Sequence, residues 1–207
     1  MAWPNILTLL RMFLAVPFFF LITRGQVWGY DAALLLLVII GATDLLDGFL
    51  ARRYAHVSRF GRVLDPLSDK IIVCGALVFL LDVPDRPEFG IRPWMVVAII
   101  IREFIVTSIR ALVEGMGKGY PANIGGKLKM ALESLTIAAV LAGKGRLAAM
   151  PDWRQVTTVL MWVTVLVAVF TGLYSVFGSL PQLRQAEREV EQPVGEHRTA
   201  QETGATP

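Results

Sequence analysis

Apolar segments long enough to cross a lipid bilayer recur along most of this chain, and they constrain its fold more than any other feature. A membrane-spanning helix needs about 20 mostly apolar residues. Six segments approach this length, at residues 5–23, 30–53, 66–83, 93–115, 126–143 and 155–179. The 55% hydrophobic content agrees with this pattern, because ordinary soluble domains are less apolar. The sequence therefore predicts an all-α, polytopic membrane protein with six transmembrane helices.

Positive charge is distributed unevenly over the connecting segments. The connections after the second and fourth segments carry much of it, in Arg52, Arg53, Arg59 and Arg62 and in Lys118, Lys127 and Lys129. Because positively charged connections stay in the cytoplasm, we expect both termini to face the cytoplasm from the inner (plasma) membrane. The net charge of +3 is small and the connections are short, so no nucleic-acid partner is expected.

The C-terminal end differs in composition from the rest of the chain. From about Arg184 onward it is polar and rich in Glu, Gln and Thr, without apolar periodicity. Such a segment buries too little apolar surface to offset the entropy lost on ordering. We expect residues 1–183 to form the six-helix transmembrane domain and residues 184–207 to form a disordered cytoplasmic tail.

Two aspartates lie at the end of the second apolar segment. Positions 44, 47, 48, 51 and 52 have the spacing of one helix face. Asp44, Asp47, Gly48, Ala51 and Arg52 therefore form an acidic stripe that also contains two small residues and a cation.

Gly61, Asp65 and Asp69 recur at four-residue intervals and form a second acidic stripe where the third segment begins. On insertion scales, a charged residue at the bilayer centre costs about 2.5–3.5 kcal/mol. Salt bridges to nearby arginines, protonation or a bound divalent metal ion would each compensate the acids. The small residues beside the acids leave room for a ligand, which favours a metal ion with its ligand. A cluster with only oxygen donors suits Mg²⁺ or Mn²⁺.

Other polar residues converge on the expected cytoplasmic ends of the helices. They are Asn5, Thr8 and Arg11 of the first helix, Arg102, Glu103 and Arg110 of the fourth, and Lys127 and Lys129 of the fifth. Cations at helix ends often extend to the membrane surface for solvation alone. Several cations beside a carboxylate cluster, however, indicate an anion-binding pocket.

The two acidic stripes together resemble the motif of the CDP-alcohol phosphotransferase family. The motif reads Asp44-x-x-Asp47-Gly48-x-x-Ala51-Arg52, then eight residues, then Gly61-x-x-x-Asp65-x-x-x-Asp69. Residues 4–11, 68–70, 102–110 and 126–129 extend the resemblance, which covers about residues 3–135. It implies a six-helix fold, a homodimer and a site that faces the cytosol. It also implies an enzyme that transfers the phosphatidyl group of CDP-diacylglycerol to an alcohol and releases CMP.

The resemblance further implies roles for individual residues. Two divalent ions, Mg²⁺ or Mn²⁺, would be held by Asp44, Asp47, Asp65 and Asp69. Asp69 would also be the base that accepts the proton of the attacking hydroxyl. The CDP group would be placed by Gly48, Arg52 and Gly61, with Asn5 and Thr8 nearby.

The acceptor is inferred from charge. Glycerol 3-phosphate carries a phosphate dianion, which clustered cations bind well. The candidates are Arg110, Lys127, Lys129 and Arg102. Lys127 and Lys129 lie two residues apart on a helix and cannot point in the same direction, so we expect one of them at a time to contact the phosphate. Inositol phosphate or phosphatidylglycerol would satisfy the same cations, and both stay open as acceptors.

Two other classes of membrane protein also use acidic residues within the bilayer. Cation-coupled transporters place such residues near the midplane, often between repeated halves. Here the acids cluster at one end, and the first three segments are not repeated in the last three. Membrane prenyltransferases hold a diphosphate with acidic motifs in two separate halves, whereas both stripes here lie in one hairpin. The sequence therefore favours the transferase, and CMP release would distinguish it from both alternatives.

Overall fold

The computed structural model describes residues 3–54, 59–83, 89–116, 124–150 and 152–191, with side chains described at 8–44, 46, 67–83, 89–116, 125–150 and 152–185. Every long element in these ranges is an α-helix. The helices are α1 (Trp3–Thr23), α2 (Val27–Tyr54), α3 (Arg59–Phe79), α4 (Pro93–Gly115), α5 (Ile124–Lys144) and α6 (Trp153–Glu191), and a short 3₁₀ helix (Arg146–Ala149) precedes α6. The all-α prediction is confirmed, and each predicted segment coincides with one helix.

Two helices extend beyond the apolar segments that predicted them. α3 begins at Arg59 rather than at residue 66, because the second acidic stripe already has helical spacing and continues the same helix. α6 continues to Glu191, so residues 184–191 are helical where the sequence predicted the start of a disordered tail. The Arg, Gln, Ala and Glu residues of that stretch favour helix even without an apolar face. Residues 192–207 lie outside the described residues.

The helices pack in two groups, α1 to α3 and α4 to α6, and the contact between α2 and α5 joins the groups. α1 packs against α2 and α3, while α6 packs against α4 and α5. All six helices contribute apolar side chains to one buried core, which includes Phe18, Ile22, Ala33, Ile40, Leu77, Met95, Ile99, Ile137, Leu141 and Met161. This packing holds α2 and α3, which carry the motif, against α1.

The outer surface of the bundle is also apolar. All six helices expose large hydrophobic side chains, for example Phe13, Val38, Val78, Phe104, Leu135 and Phe170. Within the described residues, two helical stretches are long and apolar enough to cross a membrane, Val27–Asp44 and Trp153–Gln185, and the apolar stretch Thr8–Thr23 of α1 is shorter. Charged residues within α4 and α5 lower the mean hydropathy of those helices. The helical architecture is thus confirmed, and the count of six membrane spans stays a prediction.

Gly143 of α5 is required by a close approach between α5 and its neighbours. A Cβ atom there would lie 2.2 Å from Cδ1 of Trp153 and 2.9 Å from Cε1 of Phe89. We expect Gly143→Ala to lower the free energy of unfolding by about 1–3 kcal/mol, because the two rings must leave their packed positions. Thermal unfolding in detergent measures this loss. The matched control is Gly41→Ala in α2, where nothing lies within 4 Å of the added atom. Equal melting temperatures for the two variants would contradict the packing argument.

Candidate active site

Arg11 of α1 connects the two acidic stripes. Its Nη1 atom lies 2.7 Å from Oδ1 of Asp44 in α2 and 2.8 Å from Oδ1 of Asp69 in α3. The Arg11 side chain is only 1% exposed, and Thr8, one turn earlier on the same face of α1, is fully buried. One buried guanidinium therefore offsets the charge of two motif aspartates and ties three helices together.

The paired carboxylates fit a divalent cation in their donor chemistry. An oxygen from each of Asp44 and Asp69 converges on one positively charged nitrogen, although the two residues belong to different helices. Hard ions such as Mg²⁺ and Mn²⁺ prefer carboxylate oxygens. Asp47 lies in α2 and Asp65 in α3, but their side chains are outside the described part of the chain. No group of three or more possible metal ligands occurs among the described residues, so the four-aspartate site stays a prediction.

The residues predicted to place the CDP group lie on the same three helices. Asn5 is in the first turn of α1, Gly48 and Arg52 are near the end of α2, and Gly61 is near the start of α3. The structure describes their backbone as helical but not their side chains. Their predicted contacts with the nucleotide therefore stay predictions.

The four cations predicted to bind the acceptor phosphate differ in exposure. Arg110 and Lys127 are exposed, whereas Lys129 is only 2% exposed. The two lysines thus point in different directions, as their spacing predicts. Arg102 turns toward α6, where its Nε donates to the Ala168 carbonyl oxygen at 3.2 Å.

A buried network of ion pairs connects α4 and α5. Nζ of Lys129 lies 2.7 Å from Oε1 of Glu103 and 2.7 Å from Oε2 of Glu133. Nη1 of Arg102 lies 2.5 Å from Oε1 of Glu103. The Arg102 side chain continues to α6 by donating from Nη2 to Thr171 Oγ1 at 3.0 Å. Cations and anions therefore alternate in the order Arg102, Glu103, Lys129 and Glu133. At the Arg102 end the network contacts α6.

Lys70, the residue after Asp69, links the ion-pair network to the acidic stripes. Its ammonium group donates to Thr107 Oγ1, and that hydroxyl donates to the Glu103 carbonyl oxygen at 2.7 Å. The charges of Glu103, Lys129 and Arg110 all act on Lys70. The carboxylates on one side and the cations on the other thus belong to one continuous polar region, part of which is exposed.

The sequence identified Arg11 as a candidate but not its partners, and it did not identify Glu133. Arg11 was expected at the open end of the first helix, but its pairing with two aspartates depends on how α1, α2 and α3 are rotated. Glu133 was not singled out, although a lone glutamate four residues after Lys129 in an apolar run is a detectable signal. Its 0% exposure makes it one of the most deeply buried charged groups described.

Residues 1–170 match the model of a protein family described as CDP-alcohol phosphatidyltransferase. Two relatives bear the name CDP-diacylglycerol–glycerol-3-phosphate 3-phosphatidyltransferase. The protein from Bacillus subtilis (strain 168) is 36% identical over 152 residues, which cover 67% of this chain and 75% of the relative. The protein from Escherichia coli (strain K12) is 34% identical over 145 residues, with coverage of 67% and 75%.

The fold is similar to that of phosphatidylinositol phosphate synthase from Mycobacterium tuberculosis. Its apo crystal structure gives a TM-score of 0.61 at 20% identity and covers 86% of this chain and 89% of that one. The structure with CDP-DAG bound gives 0.60, with coverage of 85% and 85%. The structure in complex with manganese and citrate gives 0.59, with coverage of 85% and 81%. At this identity, the similarity concerns the fold.

Proposed function

The chain belongs to the CDP-alcohol phosphatidyltransferase family, and on this premise we propose that it is a phosphatidylglycerophosphate synthase. It would transfer the phosphatidyl group of CDP-diacylglycerol to glycerol 3-phosphate and release CMP. The names of relatives that are 36% and 34% identical support this acceptor. The observation that carries the proposal is the convergence of Asp44 and Asp69 at Arg11, because it brings both halves of the family motif to one place.

Asp44, Asp47, Asp65 and Asp69 would hold two divalent ions, Mg²⁺ or Mn²⁺. The fold relative with manganese in its structure supports a metal of this class. When bound, such ions neutralise a diphosphate and stabilise the departing CMP. Asn5, Thr8, Gly48, Arg52 and Gly61 would place the CDP group beside the aspartates.

In the proposed reaction, Asp69 accepts the proton of the acceptor's hydroxyl group. The hydroxyl oxygen then forms a bond to the phosphorus that carries the diacylglycerol. The bond from that phosphorus to the oxygen bridging to CMP breaks, and CMP leaves with the electron pair. Asp69 suits this role because it is partly exposed, with its side chain at 27%, and its Oδ1 is fixed by Arg11.

The acceptor's phosphate would lie among the cations on the other side of Lys70. Arg110 and Lys127 are exposed at this site, and Lys129 and Arg102 would add their positive charges to phosphate binding from the ion-pair network beside it. We expect Lys127→Gln to raise the KM for glycerol 3-phosphate about three- to tenfold with little change in kcat, because one exposed charged contact is lost. Steady-state CMP release measures both constants. Lys144→Gln in the last turn of α5 is the matched control, and an equal KM increase there would contradict the assignment.

The proposal includes a membrane environment for all six helices. The bundle exposes large apolar side chains on each helix and buries Arg11, Glu103, Lys129 and Glu133 beside its apolar core, a combination that is unusual in water-soluble proteins. We place the site and both termini on the cytoplasmic side of the inner membrane, by the charge distribution of the connections. Residues 1–183 would form the catalytic unit, and the protein would act as a homodimer with the lipid tails entering from the bilayer.

CMP release by purified protein tests the function directly. The assay contains CDP-diacylglycerol and Mg²⁺ in lipid–detergent micelles and compares glycerol 3-phosphate, inositol phosphate, serine and phosphatidylglycerol as acceptors. Release with glycerol 3-phosphate alone is the expected result. Release with another acceptor would replace the substrate but keep the reaction. No release with any acceptor would contradict the proposed function.

A further inference from the structure

Glu133 lies in the middle of the ion-pair network, and neither the motif nor the proposed reaction gives it a role. It is 0% exposed, and its Oε2 lies 2.7 Å from Nζ of Lys129, one turn earlier in α5. Neither carboxylate oxygen has a hydrogen-bond partner among the described residues, so the contact of Oε2 with Lys129 is an ion pair. A buried carboxylate of this kind is costly, because apolar side chains of similar volume are often at least as stable. Its presence is therefore better explained by an effect on Lys129 than by stability alone.

Lys129 is held between two carboxylates. Oε1 of Glu103 and Oε2 of Glu133 each lie 2.7 Å from its ammonium nitrogen. These carboxylates come from α4 and α5, so the two ion pairs hold the ammonium group between these helices. With a single carboxylate partner, the flexible lysine chain would leave the position of its ammonium group less restricted.

The ammonium group of Lys129 belongs to the same polar region as the predicted site. Lys129 and Arg110 both act on the charge of Lys70, which follows Asp69 directly. Glu103 is also tied to Lys70, since Thr107 accepts from Lys70 and donates to the Glu103 carbonyl oxygen. A displacement of the Lys129 ammonium group would therefore change the charge that acts on Lys70, the residue beside the predicted base.

We infer that Glu133 is a positioning residue for binding of the acceptor's phosphate, and that it acts by orienting the ammonium group of Lys129. The inference rests on the proposed function, because it takes the acceptor to be a phosphorylated alcohol. A positioning role for Glu133 and its negative charge predict opposite effects of its replacement on phosphate binding. Removing a negative charge near the site would by itself strengthen phosphate binding, whereas releasing Lys129 would weaken it.

The test compares Glu133→Gln with the wild-type protein in steady-state CMP release and in calorimetric binding of glycerol 3-phosphate. The KM and the Kd for glycerol 3-phosphate are expected to rise about tenfold, the loss typical of one well-placed charged hydrogen bond. The KM for CDP-diacylglycerol should stay unchanged. The matched control is Thr136→Val, a buried polar change three residues further along α5, where the hydroxyl bonds to the Leu132 carbonyl oxygen and to Thr164.

A second variant tests whether Glu133 acts through Lys129. In a Lys129→Met background, Glu133→Gln should add no further increase in the KM for glycerol 3-phosphate. Additive effects, an unchanged or lower KM in the single variant, or equal losses for both substrates with a lower melting temperature would overturn the inference and leave the function intact. A wild-type protein that neither releases CMP nor binds glycerol 3-phosphate would contradict both proposals.

Discussion

Asp69→Asn is expected to reduce kcat for CMP release by about 10³-fold or more while leaving the fold and CDP-diacylglycerol binding largely intact. General-base catalysis contributes about 10²–10⁴-fold, and the amide cannot accept the proton. Asparagine keeps an oxygen at the position of Oδ1, which lies 2.8 Å from Nη1 of Arg11. The link between α1 and α3 should therefore survive the substitution. Single-turnover CMP release and equilibrium binding of the CDP-lipid measure the two effects separately.

Asp31→Asn provides the matched control for this substitution. Asp31 pairs with Arg146 at the opposite end of the bundle, where Nε of Arg146 lies 3.1 Å from Oδ2. Arg146 is 87% exposed, so this pair contributes little, and we expect nearly normal turnover. If Asp69→Asn unfolds the protein, or if it retains more than about a tenth of the wild-type kcat, Asp69 is not the general base.

The family and the helices could be predicted from the sequence because both are encoded locally. Eight specified positions within residues 44–69 identify the motif, and helical spacing places the aspartates on two stripes. Apolar length alone located all six helices, with the largest errors at the start of α3 and at the end of α6. At both places polar residues interrupt the apolar run while the helix continues. A prediction based on apolar runs therefore makes both helices too short.

The partners of the buried charges could not be predicted in the same way. Whether Arg11 meets Asp44 and Asp69 depends on the relative rotation of three helices, and no spacing within one helix encodes it. Lys129 illustrates the same point. Its separation from Lys127 predicts that the two side chains point in different directions, but it does not predict that Lys129 forms an ion pair with Glu103 of α4. Local patterns therefore identify which residues are unusual, and the packing between helices decides what they contact.

Arg11→Met is expected to lower the stability of the protein, because it removes the buried cation that pairs with two motif aspartates. It leaves the carboxylates of Asp44 and Asp69 facing each other without the buried guanidinium. Removing one partner of a buried ion pair costs about 3–5 kcal/mol. Because Asp44 is 46% exposed and Asp69 27%, we expect a smaller loss, about 2–4 kcal/mol, seen as a lower melting temperature in detergent.

The effect of divalent ions on melting temperature should distinguish the electrostatic contribution of Arg11 to stability from its packing contribution. An ion that binds only the folded state raises stability with its concentration. If Asp44 and Asp69 are metal ligands, Mg²⁺ should raise the melting temperature of Arg11→Met more steeply than that of the wild type, since the ion replaces the missing positive charge. Arg146→Gln, which removes an exposed cation, should respond like the wild type. A variant that loses stability but gains nothing from Mg²⁺ or Mn²⁺ would show that Arg11 acts through packing, and it would contradict the metal site.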